Sequence, residues 1–345
     1  MSSYVMLTHQ TRYRYDRPVF LGPQIIRLRP SPTDGTPVRA YALRVEPSEC
    51  KQTWQCDRFG NHIAKVIFSE CVTSFDIMVR LEADLTPRDP FDFTLAPVAR
   101  YWRPPAALAA LLQNTLELQN IPEPLLFQQQ VMQQQQAGSI SVQHQALAAL
   151  QACAQSQFYT TEEQGELESY RSTSLVGPHL HAFLADWVAK APHDTLEMLV
   201  ALNRALAARV KYQVRLEPGV WSPEETLSRG AGSCRDSAWL MIAVLRHLGF
   251  AARFVSGYLI QSSQTAEGEE TLTCDLHAWA EAFLPGAGWI GFDTTSGLLA
   301  AQGHLPLAAT PSPEQAAPVS GLLDYCNATF DVSMQLDRLV MPDVA

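Results

Sequence analysis

Apolar side chains occupy every second position from Phe75 to Leu85, through Ile77, Val79, Leu81 and Ala83. A period of two puts them on one face of a strand and their polar neighbours on the other. "YALRVEP" alternates in the same way at Tyr41, Leu43 and Val45. "DRFGNHIAKVIF" sets two strand-like runs about Gly60 and Asn61, which suit a hairpin turn. "TRYRYDRPV" reads as a further strand and runs into the turn-rich "RPSPTDGTPV". Residues 1–95 therefore predict an antiparallel β-domain.

Beyond it the period changes. "PFDFTLAP" and "RPP" punctuate the entry to residues 96–190, a helical and linker region. It contains a glutamine-rich tract, "FQQQVMQQQQAG", and a helix-like run, "VQHQALAALQACAQ", and nothing in it points to a function. From Leu196 the apolar positions Leu199, Val200, Leu202, Leu206 and Val210 take helical spacing. Ser222 as N-cap, Pro223 at the first helical position and Glu225 at the third predict a short helix. Gly230, Ala231 and Gly232 then form a small-residue turn, followed by Ser233 as a second N-cap with Asp236 three residues on. Ala238, Met241, Ile242, Leu245 and Leu248 recur at helical spacing up to Gly249, a natural helix terminator. Strand-like runs follow: "ARFVSGYLI", then, past an acidic insert "SQTAEGEE", "TCDLHAWAEAFL" and "GWIGFDTTSG". The tail alternates at Phe330, Val332, Met334 and Leu336, one last strand. The pattern predicts an α+β protein: a β-domain at 1–95, the linker region, a core at 191–310 with a helix packed on an antiparallel sheet, and a tail at 311–345.

Composition narrows the functions open to it. The 345 residues suffice for two domains. A net charge of −10 argues against a general nucleic-acid or anionic-membrane binder. No run of 18 apolar residues reads as a membrane span, and the N-terminus has no leader-like apolar stretch. The seven cysteines are odd in number, widely spaced and free of any CxxC pair, which excludes a zinc ribbon or disulfide framework and leads us to expect a cytoplasmic protein. His179 and His181 have no third ligand nearby in sequence, so no metal site is expected from them.

The candidate chemistry lies at Cys234. It falls in the first turn of its helix, where unpaired N–H groups and the helix dipole favour thiolate over thiol. A buried, inert cysteine is the plainer alternative. A nucleophile needs a base, and His277 lies 43 residues on, in "DLHAWAEAFL"; Asp293 follows 16 residues later, where a strand meets a Thr-Thr-Ser-Gly turn. A hairpin through "LPGAG" would set the two side by side, the carboxylate orienting the imidazole.

"GSCRDSAWLMIAVLRHLGFAARFVSGYL" and "DLHAWAEAFLPGAGWIGFDTTSG" resemble the transglutaminase-like superfamily of papain-type thiol enzymes. "HQTRYRYDRPVFLGPQIIRLRP" and "DRFGNHIAKVIF" are similar to the N-terminal β-domain of its bacterial members. The resemblance implies that Cys234 is nucleophile, His277 general base and acid, and Asp293 the orienting acid. It implies action on a peptide or protein amide through a thioester, by hydrolysis or acyl transfer, with no cofactor. A non-catalytic peptide- or partner-binding module is the alternative. Two features depart from the family. Thr294 replaces the usual proline, which should loosen the turn. Arg235 is the form of a subgroup often fused to a larger C-terminal region, whose partner function is expected here to be absent or supplied by a separate partner enzyme.

Secondary candidates surround these three. The Cys234 N–H is the first choice of oxyanion donor. Trp221 and Trp279 are placed as cleft walls or indole donors, with packing favoured for Trp279. Asp275, two residues from His277 on the same strand face, is a rival orienter. Arg235 and Asp236 are expected to pair with each other. Tyr258 reads as core.

Overall fold

The structure, a computed structural model, describes residues 4–32, 35–119, 158–264 and 270–339. The glutamine-rich tract, the helix expected at 142–155 and most of the acidic insert lie outside them.

Six strands come first: β1 (Tyr4–Val19), β2 (Gln24–Ile26), β3 (Val38–Glu46), β4 (Cys50–Cys56), β5 (His62–Phe68) and β6 (Val72–Asp84). β7 (Lys211–Tyr212) and β8 (Ala231–Gly232) lie on either side of the short helix over 223–229. β9 (Ala252–Gln264), β10 (Glu270–Leu284), β11 (Gly288–Asp293), β12 (Leu298–Ala300) and β13 (His304–Thr310) follow, then β14 (Val319–Ser320) and β15 (Ala328–Arg338). The helices are α1 (Ala106–Gln119), α2 (Thr161–Glu166), α3 (Pro178–Lys190), α4 (Thr195–Arg209), α5 (Pro223–Arg229) and α6 (Cys234–His247).

The N-terminal half is a sandwich of two four-stranded sheets, ordered β15-β1-β6-β3 and β14-β2-β5-β4. Alternation fills its interior: Val5 and Leu7 of β1, Ile26 of β2, Val66 of β5, and Phe75, Ile77, Val79 and Leu81 of β6 share one buried cluster. The strand expected in the tail forms as β15 and lies antiparallel to β1, with Leu336 opposite Leu7. Phe330 and Val332 nevertheless stay exposed, because β15 is the outer strand of its sheet. The chain thus returns to the β-domain from which it began, a pairing that local pattern does not specify.

The second half is built on the five-stranded antiparallel sheet β12-β11-β10-β9-β13. Ala278, Ala280 and Ala282 of β10 join the buried cluster that includes Leu240, Met241, Val244 and Leu245 of α6. The α6 helix is apolar on more than one side, as a helix enclosed on all sides must be. Its one deeply buried cation, Arg246, donates to the carbonyls of Ala252, Pro311 and Ser172. Parts of the linker region close the core, with Leu180, Leu184 and Trp187 of α3 buried in it. Among the described residues no helix is long and apolar enough to cross a membrane.

Candidate active site

The local sequence builds the cysteine turn as its caps require. Ser222 Oγ accepts the Glu225 N–H at 3.1 Å to open α5, and Gly230, at φ 60°, closes it in the left-handed region that glycine tolerates. Ala231 and Gly232 do not turn, as their sizes had indicated, but form β8 and pair in parallel with β7. Gly232 is small for a packing reason: a Cβ there would stand 2.9 Å from Asp236 Cβ.

Asp236 organises the turn. Its side chain is fully buried and accepts from Ser233 N–H at 2.8 Å, Ser233 Oγ at 2.7 Å and Trp221 N–H at 2.8 Å. The Arg215 guanidinium grips both carboxylate oxygens, from Nε at 2.9 Å and Nη2 at 3.1 Å. Burial alone would raise this carboxyl's pKa, but Arg215, Trp221 and Ser233 together hold it below the ordinary value. The expected Arg235–Asp236 pair is therefore not formed. Arg235 instead donates to the carbonyls of Arg215 at 3.0 Å and Glu217 at 3.1 Å. Neighbours in the first turn of a helix diverge by roughly 100°, so they cannot share one partner direction.

His277 and Asp293 come from adjacent strands whose register pairs Ala280 with Phe292. The imidazole Nε2 stands 3.2 Å from Asp293 Oδ1, and both side chains are buried. Asp293 is fixed from behind: Thr295 donates to Oδ1 from its N–H at 2.9 Å and its hydroxyl at 2.7 Å, and Gly297 N–H bonds the Asp293 carbonyl at 2.8 Å. These bonds hold the turn in which Thr294 stands. Burial alone would lower the His277 pKa, but hydrogen bonding and charge from Asp293 and Cys234 outweigh it and raise it to about 9. Burial likewise opposes ionisation of Asp293, and His277, His304 and Thr295 overcome it, holding the carboxyl far below the usual range.

His277 and Asp293 stand together, and Cys234 acts on the same imidazole through hydrogen bonding and charge; the other candidates take different places. Trp279 is 2 % exposed, lies stacked beside His277 with centroids 6.4 Å apart, and spends its indole N–H on Glu281. It is a wall rather than a donor. Gly257, opposite His277, makes room for it, since a Cβ there would fall 2.4 Å from the indole. Trp221 lies between the guanidiniums of Arg215 and Arg229, each 4.4 Å from its ring centroid. Asp275 is exposed, and the ion pair with His277 is made by Asp293. Tyr258 is buried core, its hydroxyl 2.8 Å from His9 Nδ1.

Two neighbours escaped the sequence reading. His304 Nε2 lies 3.5 Å from Asp293 Oδ2, so one carboxylate serves two imidazoles. His277, Asp293 and His304 offer ligand atoms within 4.8 Å of one another, the one group among the described residues with the spacing to hold a metal ion. Tyr212 of β7 pairs with Gly232, and its phenol pKa is raised by burial and then by negative charge on Cys234, Asp275 and Asp293. The tyrosine therefore sits in the electrostatic field of the site. Only the isolated "VKYQV" run before the short helix could have signalled it.

Comparison with known proteins matches residues 5–84 to the bacterial transglutaminase-like N-terminal region and residues 182–294 to the transglutaminase-like superfamily. An uncharacterized protein of Mycobacterium leprae is 29 % identical over 149 residues, 43 % of this chain and 52 % of that one. An uncharacterized protein of Mycobacterium bovis is 29 % identical over 148 residues, 40 % of this chain and 47 % of the relative. The match therefore spans about half the length of these relatives. Among solved structures, one described as a cysteine protease candidate from Cytophaga hutchinsonii shares the fold with a TM-score of 0.58 at 16 % identity, over 98 % of this chain and 91 % of that one.

Proposed function

Because the chain belongs to the transglutaminase-like superfamily and carries its bacterial N-terminal region, we propose that it is a thiol enzyme that cleaves or transfers the acyl group of a peptide amide. The observation that carries this is the buried His277–Asp293 pair at 3.2 Å, on an imidazole whose pKa Asp293 and then Cys234 raise to about 9.

The Cys234 thiolate attacks the amide carbonyl, forming a C–S bond as the C=O π electrons move to oxygen. The Cys234 backbone N–H, in the first turn of α6 where helix N–H groups lack intrahelical acceptors, is the donor assigned to the developing oxyanion. As the tetrahedral adduct collapses, the C–N bond breaks and the imidazolium of His277 gives its proton to the leaving amine. A thioester remains. Water, or an acceptor amine, then adds to its carbonyl while neutral His277 takes the incoming proton. The C–S bond breaks, and the thiolate–imidazolium pair is restored. Asp293 holds the ring and its tautomer throughout. Hydrolysis is the favoured outcome because water is the default acceptor. The cytoplasmic setting expected from the odd number and wide spacing of the cysteines is part of this proposal.

Thiol alkylation tests this directly. Iodoacetamide near pH 6 is expected to label Cys234 at least about tenfold faster than the other cysteines, because the thiolate is the reacting form. Burial pushes the thiol pKa of Cys274 to about 12 and raises that of Cys50. Exposed Cys56 and Cys71 are the stricter controls. His277→Ala should remove the advantage of Cys234. Equal labelling of all the thiols would instead favour a binding module that keeps the fold without the chemistry.

The pH profile carries a second expectation. Leaving-group protonation needs the imidazolium, so acylation should fall as pH rises through about 9. The stability linkage has the same sign. A histidine whose folded pKa is raised stabilises the fold fully below its ordinary value of about 6.5, and that contribution is lost as pH climbs through the folded one. Single-turnover rates from pH 6 to 10 would show the limb; a profile that stays flat up to pH 10 would contradict the assignment.

A further inference from the structure

We propose that residues 212–216 are the substrate-binding edge, and that they take an extended peptide bearing apolar side chains at alternate positions. This rests on the enzyme reading above and names its substrate class.

The odd-numbered residues of this stretch are committed inward. Lys211 N–H bonds the Gly230 carbonyl at 2.9 Å, and Gln213 N–H the Gly232 carbonyl at 3.0 Å. Where β8 gives way to the helix, the Arg235 guanidinium continues the ladder by taking the carbonyls of Arg215 and Glu217. Successive backbone units of an extended chain face opposite edges. β7 itself ends at Tyr212; the inward bonds of Gln213, Arg215 and Glu217 carry the alternation on, which assigns the N–H and C=O groups of Tyr212, Val214 and Leu216 to the opposite edge.

The side chains at those positions are also free, with Tyr212 53 % exposed, Val214 73 % and Leu216 79 %. Proteins usually protect a bare edge with charge, most often lysine. Here the charged residues Lys211, Arg215 and Glu217 all sit at the odd positions, and positions 212, 214 and 216 are Tyr, Val and Leu. Such an edge suits a partner strand that adds main-chain hydrogen bonds and seats every second side chain.

Its position and rigidity identify that strand as substrate. Tyr212 is the β-partner of Gly232, two residues before the thiol. At about 3.3 Å per residue, the path from Tyr212 to Leu216 is about 13 Å, enough for some four substrate residues leading away from the scissile bond. Arg215 is locked to buried Asp236, and Arg235 to the carbonyls beside it, so the edge is organised before substrate arrives.

Amide hydrogen exchange on the Cys234→Ala chain tests the edge without turnover. The probes are a peptide with valine and leucine at alternate positions and a matched peptide with glutamate there. The apolar peptide is expected to slow exchange at the Tyr212 and Val214 amides about tenfold, leave the already bonded Gln213 amide unchanged, and outcompete the acidic peptide. No protection at saturation, protection elsewhere, or equal protection by both peptides would overturn the proposal. So would protection that grows with protein concentration alone, which would make the edge a contact between two copies of the chain. On the active chain, Val214→Glu and Leu216→Glu should each lower kcat/KM for the apolar peptide about tenfold, mainly through KM. Melting and Cys234 alkylation report separately on the fold and the thiol. An unreactive Cys234 would defeat the enzyme reading, whereas a reactive thiol with an unprotected edge would defeat only the substrate assignment.

Discussion

Cys234→Ser is expected to fold normally and to lose acyl transfer by on the order of 10⁴-fold or more. The substitution changes one atom in a half-buried side chain at the start of α6, and the hydrogen bonds that hold the turn belong to Asp236 and Ser233. Stability should therefore stay within about 0.5 kcal/mol, the range of substitutions that disturb no packing or network. The chemistry changes far more. A thiolate opposite an imidazolium is ready to attack, whereas a serine hydroxyl must give up a far more tightly held proton in the same step. Asp293 continues to favour the imidazolium form of His277, which makes the ring a poor base for that purpose. Single-turnover acylation by a peptide ester, followed by mass spectrometry for the trapped acyl group, measures the loss. Residual activity within tenfold of the parent would place the nucleophile elsewhere.

Asp236→Ala is expected to be the most destabilising single change near the site, by about 3–5 kcal/mol. It removes the acceptor for Ser233, Trp221 and both nitrogens of Arg215 in one step. Arg215, 8 % exposed, would then be a buried cation whose other acidic neighbour, Glu217, lies 3.8 Å away and faces solvent. The cost comes chiefly from stranding that charge rather than from the worth of the pair, so Asp236→Asn should recover part of it. Urea denaturation resolves the effect as a lower midpoint at constant slope. The pH dependence follows from the depressed folded pKa. The contribution is present above the ordinary carboxyl value of about 3.9 and disappears as pH falls through the folded one. A midpoint shift below about 1 kcal/mol would mean that water replaces the lost acceptor.

Much of the molecule follows from its sequence. The alternation of Phe75 to Leu85 specifies β6, because one shifted residue would turn every apolar side chain to solvent. Ser222, Gly230, Ser233 and Gly249 bound α5 and α6, because caps and left-handed glycines act within a few residues. The side-by-side placing of His277 and Asp293 on β10 and β11 was readable for the same reason: a hairpin between neighbouring strands leaves few registers. Only the tertiary structure decided which groups complete the site. Arg215 displaced Arg235 as the partner of Asp236 from 21 residues away, His304 reached Asp293 from a strand at the far edge of the sheet, and Tyr212 entered beside the thiol through a two-residue parallel pairing. Local pattern records the period and polarity of a segment. Which charge meets which across the fold depends on distances set by packing, and no stretch of the chain carries those by itself.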